Sequence, residues 1–199
     1  MSQRYLDDEE LAMLGDLFRD EHAGAQRSLS ITMDEALFAL LTGASSLELK
    51  LDIQGTQLTF PVSLSPGLPA GEDAALTAPQ ITSLAGSAGR RAWRLPNPDG
   101  LQLLTPDGGS LDITIRDLSI SGMRLVSQHS LFEEATTKTV LLKLDSEHQL
   151  PLNLKPVKER RGEGLWVTTV QFELGVADRL ALSEFVFRGF LERMEQERL

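Results

Sequence analysis

Three arginine side chains lie close together near the middle of the sequence. Arg90, Arg91 and Arg94 occur within five residues, directly after a segment rich in small and turn-forming residues. A guanidinium group donates two parallel hydrogen bonds to phosphate oxygens or to other planar pairs of acceptors. The spacing therefore indicates a binding site for an anionic ligand, although arginines at a solvated strand edge would show the same pattern.

A second polar cluster follows in the run from 117 to 122. Asp117 and Ser119 are separated by one residue, so on an extended chain they project to the same side. Gly122 permits a positive φ or a close backbone approach. An ordinary Asx turn within a hairpin is the alternative interpretation of this run.

The two clusters together are complementary to a ligand that is both anionic and guanine-containing. Arginine matches the O6 and N7 edge of guanine, and a carboxylate accepts hydrogen bonds from guanine N–H groups. The chain has a formal net charge of −10 and an isoelectric point near 4.8, so as a whole it repels nucleic acid. We therefore expect no DNA binding, and a local group of arginines must hold any anionic ligand.

Short strands must position these side chains. Alternating apolar residues separated by turn signals predict strands over 93–95, 101–104, 111–115, 123–126, 140–144, 152–157 and 165–172. The period then changes, and Asp178 is expected to cap a helix with an apolar stripe from Leu182 to Met194. This order predicts a small antiparallel β-barrel closed by a C-terminal helix.

The N-terminal part has a different pattern. Helical spacing predicts one helix within the first twenty residues and a second from Thr32, followed by a hairpin over 47–53 and 58–62. Residues 65–89 are rich in Pro, Gly, Ala and Ser, which favours a linker. The prediction is an α+β chain with an N-terminal helix and hairpin domain over 1–72, a linker over 73–89 and a β-barrel domain over 90–199.

Composition excludes several classes of protein. The 199 residues contain no cysteine, so disulfide scaffolds and thiolate metal sites are excluded. No apolar run is long enough to span a membrane, and the acidic N-terminus is unlike a signal peptide, so we expect a cytoplasmic protein. Nucleophile elbows, phosphate-binding glycine loops and metal-ligand clusters are missing from the sequence, so we expect no enzyme, no metal site and no cofactor.

The two clusters resemble the sequence pattern of the PilZ domain family, whose members are cyclic di-GMP receptors. That family has an Arg-x-x-x-Arg segment at the domain entrance and, twenty to thirty residues later, Asp/Asn-x-Ser-x-x-Gly. Arg90 and Arg94 match the first element, while Asp117, Ser119 and Gly122 match the second. The resemblance covers roughly residues 88 to 199. The N-terminal part is loosely similar to the companion domain of flagellar-brake-type PilZ proteins, but it is shorter.

The resemblance implies a role for each matched residue. Arg90 and Arg94 would grip the phosphates and guanine edges of cyclic di-GMP, with Arg91 adding a contact. Asp117 and Ser119 would hydrogen-bond a guanine, and Gly122 would keep the turn tight. The chain departs from some family members in lacking an aromatic residue near Val157, and Lys158, Arg160 or Arg161 could supply charge there instead.

Two functions from different classes follow. The first is a receptor that changes its interdomain pose or its binding to a downstream protein when it captures cyclic di-GMP. The second is a PilZ-like adaptor that binds a protein partner without nucleotide. The sequence leaves open the identity of that partner, the number of ligands bound and whether the chain forms a homodimer.

Overall fold

The computed structural model describes residues 27–30, 46–53, 56–63, 73–76, 79–83, 91–132, 136–146 and 148–196. The chain divides into two compact units, residues 1–93 (unit 1) and residues 94–199 (unit 2). The helices predicted near the N-terminus and from Thr32 lie outside the described residues.

Unit 1 contains an antiparallel sheet. Its strands are β1 (Arg27–Ser30), β2 (Leu47–Ile53), β3 (Thr56–Ser63), β4 (Asp73–Leu76), β5 (Gln80–Ser83) and β6 (Arg91–Ala92). The spatial order is β1-β4-β3-β5-β6, and β2 also pairs with β3. The predicted hairpin is present as β2 and β3, whose register runs from Leu47 opposite Val62 to Ile53 opposite Thr56.

The segment predicted as a linker contains two strands of this sheet. β4 pairs with β1 and β3, and β5 pairs with β3 and β6. Ile81 of β5 is buried, so this segment contributes to the core of unit 1. Each strand has four residues, too few for an alternating pattern to stand out among the surrounding Pro, Gly and Ala.

Unit 2 contains the predicted series of antiparallel strands and the closing helix. The elements are β7 (Leu95–Pro96), β8 (Gln102–Leu104), β9 (Ile113–Ser119), β10 (Gly122–Ser127), β11 (Lys138–Lys143), β12 (Gln149–Gly162), β13 (Leu165–Gln171) and α1 (Val176–Gln196). The strand order is β7-β9-β10-β13-β12-β11-β8. Because β8 at one edge also contacts β9 near the other edge, the sheet curls back towards itself.

The core of unit 2 lies on the inner face of this sheet. Met123 and Leu125 of β10 and Leu142 of β11 are fully buried, as are Leu182 and Phe187 of α1. Along β10 and β11 the buried residues alternate with partly exposed neighbours such as Arg124 and Leu141, which explains why the sequence pattern predicted these strands. Burial of such side chains stabilises the fold by about 1.5 to 3 kcal/mol each.

The helix begins three residues earlier than a cap at Asp178 predicts. Asp178 lies in the first turn of α1 and is not its cap, because the helix starts at Val176. An acidic residue in the first turn still interacts favourably with the helix dipole. Gly189 allows α1 to approach β7 closely, since a Cβ atom there would lie 2.6 Å from Cδ2 of Leu95. Within the described residues, α1 is too polar to cross a membrane.

A carboxylate on β12 fastens the loop that follows β10 to the sheet. Glu159 of β12 accepts hydrogen bonds from Ser130 Oγ at 2.6 Å, Thr168 Oγ1 at 2.7 Å and the Leu131 backbone N–H at 3.2 Å. Burial raises the pKa of Glu159, but the three hydrogen bonds together outweigh it and hold the pKa below its ordinary value.

We expect Glu159→Gln to lower the free energy of unfolding by about 1 to 2 kcal/mol near neutral pH, because a neutral amide replaces a charge-assisted acceptor. A carboxyl group whose pKa is lowered by folding stabilises the folded state above its unfolded pKa, and that stabilisation is lost as pH falls through the folded pKa. The difference between variant and wild type should therefore shrink below about pH 4.3, the ordinary pKa of glutamate.

Urea unfolding at several pH values measures this difference. Glu163→Gln, at the exposed tip of the β12–β13 hairpin, is the matched control and should change little. A difference that stays constant with pH would contradict the role assigned to the Glu159 charge.

Candidate functional site

An arginine and an aspartate that are 23 residues apart in sequence meet at one edge of the unit 2 sheet. β7 pairs with the end of β9, with Leu95 opposite Leu118 and Pro96 opposite Asp117. Arg94 directly precedes β7, and its Nη1 donates to Oδ1 of Asp117 at 2.5 Å. This short β7 pairing therefore brings the second arginine of the Arg-x-x-x-Arg segment to the run from 117 to 122.

A second arginine holds the other oxygen of the same carboxylate. Arg124 lies directly opposite Asp117 in the β9–β10 pair, and its Nε lies 3.3 Å from Asp117 Oδ2. Asp117 is only 8% exposed, whereas the side chains of Arg94 and Arg124 are 37% and 41% exposed. The buried carboxylate thus anchors two guanidinium groups that remain accessible to a ligand.

Sequence reasoning missed Arg124. The signal was present, because Ser119 and Gly122 close a hairpin with a two-residue loop. Counting two residues back from Ser119 and two forward from Gly122 pairs Asp117 with Arg124. The register of the hairpin therefore identifies Arg124 once Asp117 is chosen.

Ser119 and Gly122 stabilise this hairpin in the structure. Ser119 is 1% exposed, and its Oγ donates to the carbonyl oxygen of Gly122 at 2.9 Å. A Cβ atom on Gly122 would lie 2.6 Å from the carbonyl oxygen of Val170 in β13. Close approach between β10 and β13, and not a positive φ, is thus the reason for glycine at this position.

The other two predicted site residues are placed differently. Arg91 is exposed and belongs to β6 of unit 1, where it lies opposite Ser83 of β5. Arg90 lies outside the described residues. The structure therefore brings together Arg94, Asp117, Ser119 and Gly122 within unit 2 and adds Arg124 to them.

The arrangement is suited to binding. Asp117 Oδ1 accepts a hydrogen bond from Arg94 and Asp117 Oδ2 forms an ion pair with Arg124, which disfavours a role as general base. The exposed parts of the two guanidinium groups offer donors for phosphate oxygens and for the acceptor edge of a purine. Among the residues that the structure describes, no three His, Asp or Glu side chains form a cluster that could hold a metal ion.

Comparisons with known proteins give matches at the level of structure. No family model matches this chain, and no curated protein matches it. The structure of the K. pneumonia MrkH–c-di-GMP complex aligns with a TM-score of 0.44 and 14% identity, over 96% of this chain and 97% of that chain. YcgR from Escherichia coli in complex with c-di-GMP aligns with a TM-score of 0.42 and 16% identity, over 94% and 91%.

A third similar structure is the Bacillus subtilis inhibitor of motility, MotI/DgrA. It aligns with a TM-score of 0.39 and 12% identity, over 84% of this chain and 88% of that chain. The MrkH and YcgR structures are complexes with c-di-GMP, the ligand of the PilZ family that the arginine and aspartate motifs of this chain resemble.

Proposed function

We propose that this protein is a cytoplasmic receptor that binds cyclic di-GMP. The observation that carries the proposal is the contact of Arg94 with Asp117, which joins the two sequence motifs at one site. Ser119 and Gly122 form the end of the hairpin that carries Asp117. Arg90 and Arg91 complete the proposed ligand-binding set.

Charge supports a site at this position. Cyclic di-GMP carries two phosphodiester charges, and the chain has a net charge of −10, so only a local excess of cations can attract the ligand. Arg94 and Arg124 contribute two positive charges around the single negative charge of Asp117. The net charge of these three side chains is therefore positive, although the whole protein is acidic.

The chemistry of guanine supports the same site. Guanine presents N–H donors on its Watson–Crick edge and the acceptors O6 and N7 on its other edge. In the proposed complex, Asp117 accepts from the donors while an arginine donates to O6 and N7 or to phosphate. Arg94 would then exchange part of its contact with Asp117 for a contact with the ligand, and Arg124 would keep the carboxylate in place.

Ligand capture is proposed to change the conformation of the segment from 90 to 94, which connects the two units in the chain. A ligand shifts a conformational equilibrium only by its preference for one state. Contacts of the ligand with this segment would provide that preference, and the resulting change of interdomain pose would alter binding to a downstream protein.

Isothermal titration of the full chain with cyclic di-GMP tests the proposal. Wild type should bind, and Asp117→Ala should lose at least tenfold in affinity, because a charged hydrogen bond contributes about 1.5 to 3 kcal/mol. Asp117→Asn should retain more affinity than Asp117→Ala, since the amide keeps one acceptor oxygen.

Asp112→Ala is the matched control, because Asp112 is exposed and lies close to the start of β9. Circular dichroism should show that all three variants remain folded. Equal affinity of Asp117→Ala and wild type would refute the assignment of Asp117.

A protein-interaction adaptor is the second candidate function. The observation in its favour is that Asp117 has both oxygens bound by arginines of the same chain, as expected for an ion-pair cluster that only stabilises the hairpin. Under this alternative, titration of wild type with cyclic di-GMP would give no binding heat, and capture of a protein partner would not depend on the dinucleotide.

A further inference from the structure

A cleft of about 490 Å³ lies within unit 2, between β7, the end of β11 and one side of α1. Of the described residues assigned above to the cyclic di-GMP site, none lines this cleft. Leu95 of β7 and Leu144 after β11 are buried, whereas Asp99 and Glu192 are exposed. The cleft therefore has an apolar base and a polar rim, and its volume is typical of pockets that bind ligands.

The helix contributes a charged stripe to the cleft. Phe185, Arg188, Glu192 and Gln196 are three or four residues apart and so project from one side of α1. Arg188 and Glu192 could form an ion pair at this spacing, but with the arginine first the order is the less favourable one. Within the described part of the chain, neither of them forms an ion pair. Both charges are therefore available to another molecule.

The Nε–H group of Arg188 is buried and has no hydrogen-bond acceptor among the described residues. A buried donor without an acceptor costs free energy, because it has lost its hydrogen bond to water. An occupant of the cleft that brings an oxygen atom to this group restores the hydrogen bond. Arg188 therefore favours an occupant with a carbonyl or carboxylate oxygen.

The rim of the cleft is acidic. Three carboxylates and two guanidinium groups line it, which leaves an excess of one negative charge. Asp145 lies 3.0 Å from Nδ1 of His148. Asp99, like Glu192, forms no ion pair with any residue that the structure describes. Such a rim attracts a cationic group and disfavours a free anion such as phosphate.

The walls of the cleft are held in place by backbone hydrogen bonds. The Asn97 N–H donates to the carbonyl oxygen of Arg116 at 2.7 Å, which fixes the loop after β7. The Leu144 N–H donates to the carbonyl oxygen of His148 at 2.9 Å, which fixes the loop after β11. A preformed cleft loses little conformational entropy when it binds a ligand.

We propose that this cleft binds a basic peptide segment of a partner protein. A backbone carbonyl of the segment accepts a hydrogen bond from Arg188 Nε, and its lysine or arginine side chain pairs with Asp99 and Glu192. An apolar neighbour in the segment packs against Leu95 and Leu144. The inference rests on the proposed function in one respect, namely that this chain acts on a protein partner.

An array of N-acetylated, C-amidated pentapeptides tests the inference, using the full chain without cyclic di-GMP. The central residue of the peptides is lysine, arginine, alanine or glutamate, and the flanking residues vary among leucine, valine, phenylalanine and alanine. Peptides centred on lysine or arginine should bind, and those centred on glutamate should not. Fluorescence anisotropy with the tightest-binding peptide then gives the affinity of each variant.

Two variants of the cleft should weaken binding of that peptide. Arg188→Met should weaken it about tenfold, because the peptide loses a charged hydrogen-bond donor. Glu192→Gln should weaken it about threefold to tenfold. Asp112→Asn removes one negative charge outside the cleft and should bind as wild type.

Urea unfolding of the free protein distinguishes a binding role of Arg188 from a structural one. Because Arg188 Nε has no acceptor among the described residues, Arg188→Met should leave the free energy of unfolding unchanged or raise it. A structural arginine would give a loss of stability together with the loss of peptide binding, and that result would contradict the role assigned to Arg188.

The outcomes separate this inference from the function on which it rests. The peptide surface is wrong if no peptide binds, if the central residue has no effect, or if Arg188→Met and Glu192→Gln bind as wild type. Titration of wild type with cyclic di-GMP is a separate measurement. If that titration shows no binding while the lysine peptides bind as expected, the receptor function is wrong and the peptide surface stands.

Discussion

Replacing Arg94 with alanine is expected to lower the affinity for cyclic di-GMP by at least 100-fold, which corresponds to about 2.7 kcal/mol. Arg94 has two roles in the proposed site. Its guanidinium group would bind the ligand directly, and its Nη1 donates to Asp117 Oδ1 at 2.5 Å. The variant loses the ligand contact and also leaves Asp117 with Arg124 alone.

The size of this effect follows from the strength of charged hydrogen bonds. Each contributes about 1.5 to 3 kcal/mol, so a bidentate contact to phosphate or guanine accounts for the whole loss. The effect on stability should be smaller, about 1 kcal/mol, because the Arg94 side chain is 37% exposed and Arg124 still neutralises the carboxylate. In Arg94→Ala, the loss of affinity for cyclic di-GMP should therefore be larger than the loss in the free energy of unfolding.

Two further variants test whether the loss of affinity is specific to the guanidinium group of Arg94. Arg94→Lys keeps the positive charge but loses the planar fork, so it should bind about tenfold less tightly than wild type. Arg179→Ala removes an exposed arginine of α1 and should bind as wild type. Isothermal titration gives the affinities, and urea unfolding gives the stabilities. An affinity of Arg94→Ala within threefold of wild type would exclude Arg94 from the site.

Gly122→Ala is expected to have the largest effect on stability, a loss of about 2 to 4 kcal/mol in the free energy of unfolding. The added Cβ atom would lie 2.6 Å from the carbonyl oxygen of Val170 and 3.5 Å from Cα of Gln171. Both atoms belong to the backbone of β13, so relief requires β10 and β13 to separate. Overpacking of this kind costs about 1 to 3 kcal/mol, and weakened strand pairing adds to it.

Gly162→Ala is the matched control for this prediction. Gly162 lies at the end of β12, and a Cβ atom there would meet no atom within 4 Å. Alanine loses less backbone entropy than glycine on folding, so this variant should be neutral or slightly stabilising. Urea unfolding of Gly122→Ala and Gly162→Ala measures the difference in stability. Equal free energies of unfolding would show that β10 and β13 can accommodate a side chain at position 122.

Much of unit 2 could be predicted from the sequence because its strands are long enough to show a pattern. Alternation identified β9, β10 and β13, and helical spacing identified α1. β9 continues to Ser119, four residues beyond the predicted end of that strand, so the run from 117 to 122 contains the last residues of β9 and the first residue of β10. Where segments are short, as in β4 and β5, local pattern was insufficient, and pairing with β3 determines that they are strands.

The sequence by itself determined which residue types the proposed site contains: guanidinium groups, a carboxylate and a glycine at the spacing of the two motifs. Only the tertiary structure decided their partners. The pairing of β7 with β9 brings Arg94 to Asp117 Oδ1, and the register of the β9–β10 hairpin brings Arg124 to Asp117 Oδ2. The physical reason is that side-chain periodicity is a property of one strand, whereas register depends on contacts between strands that are distant in the chain.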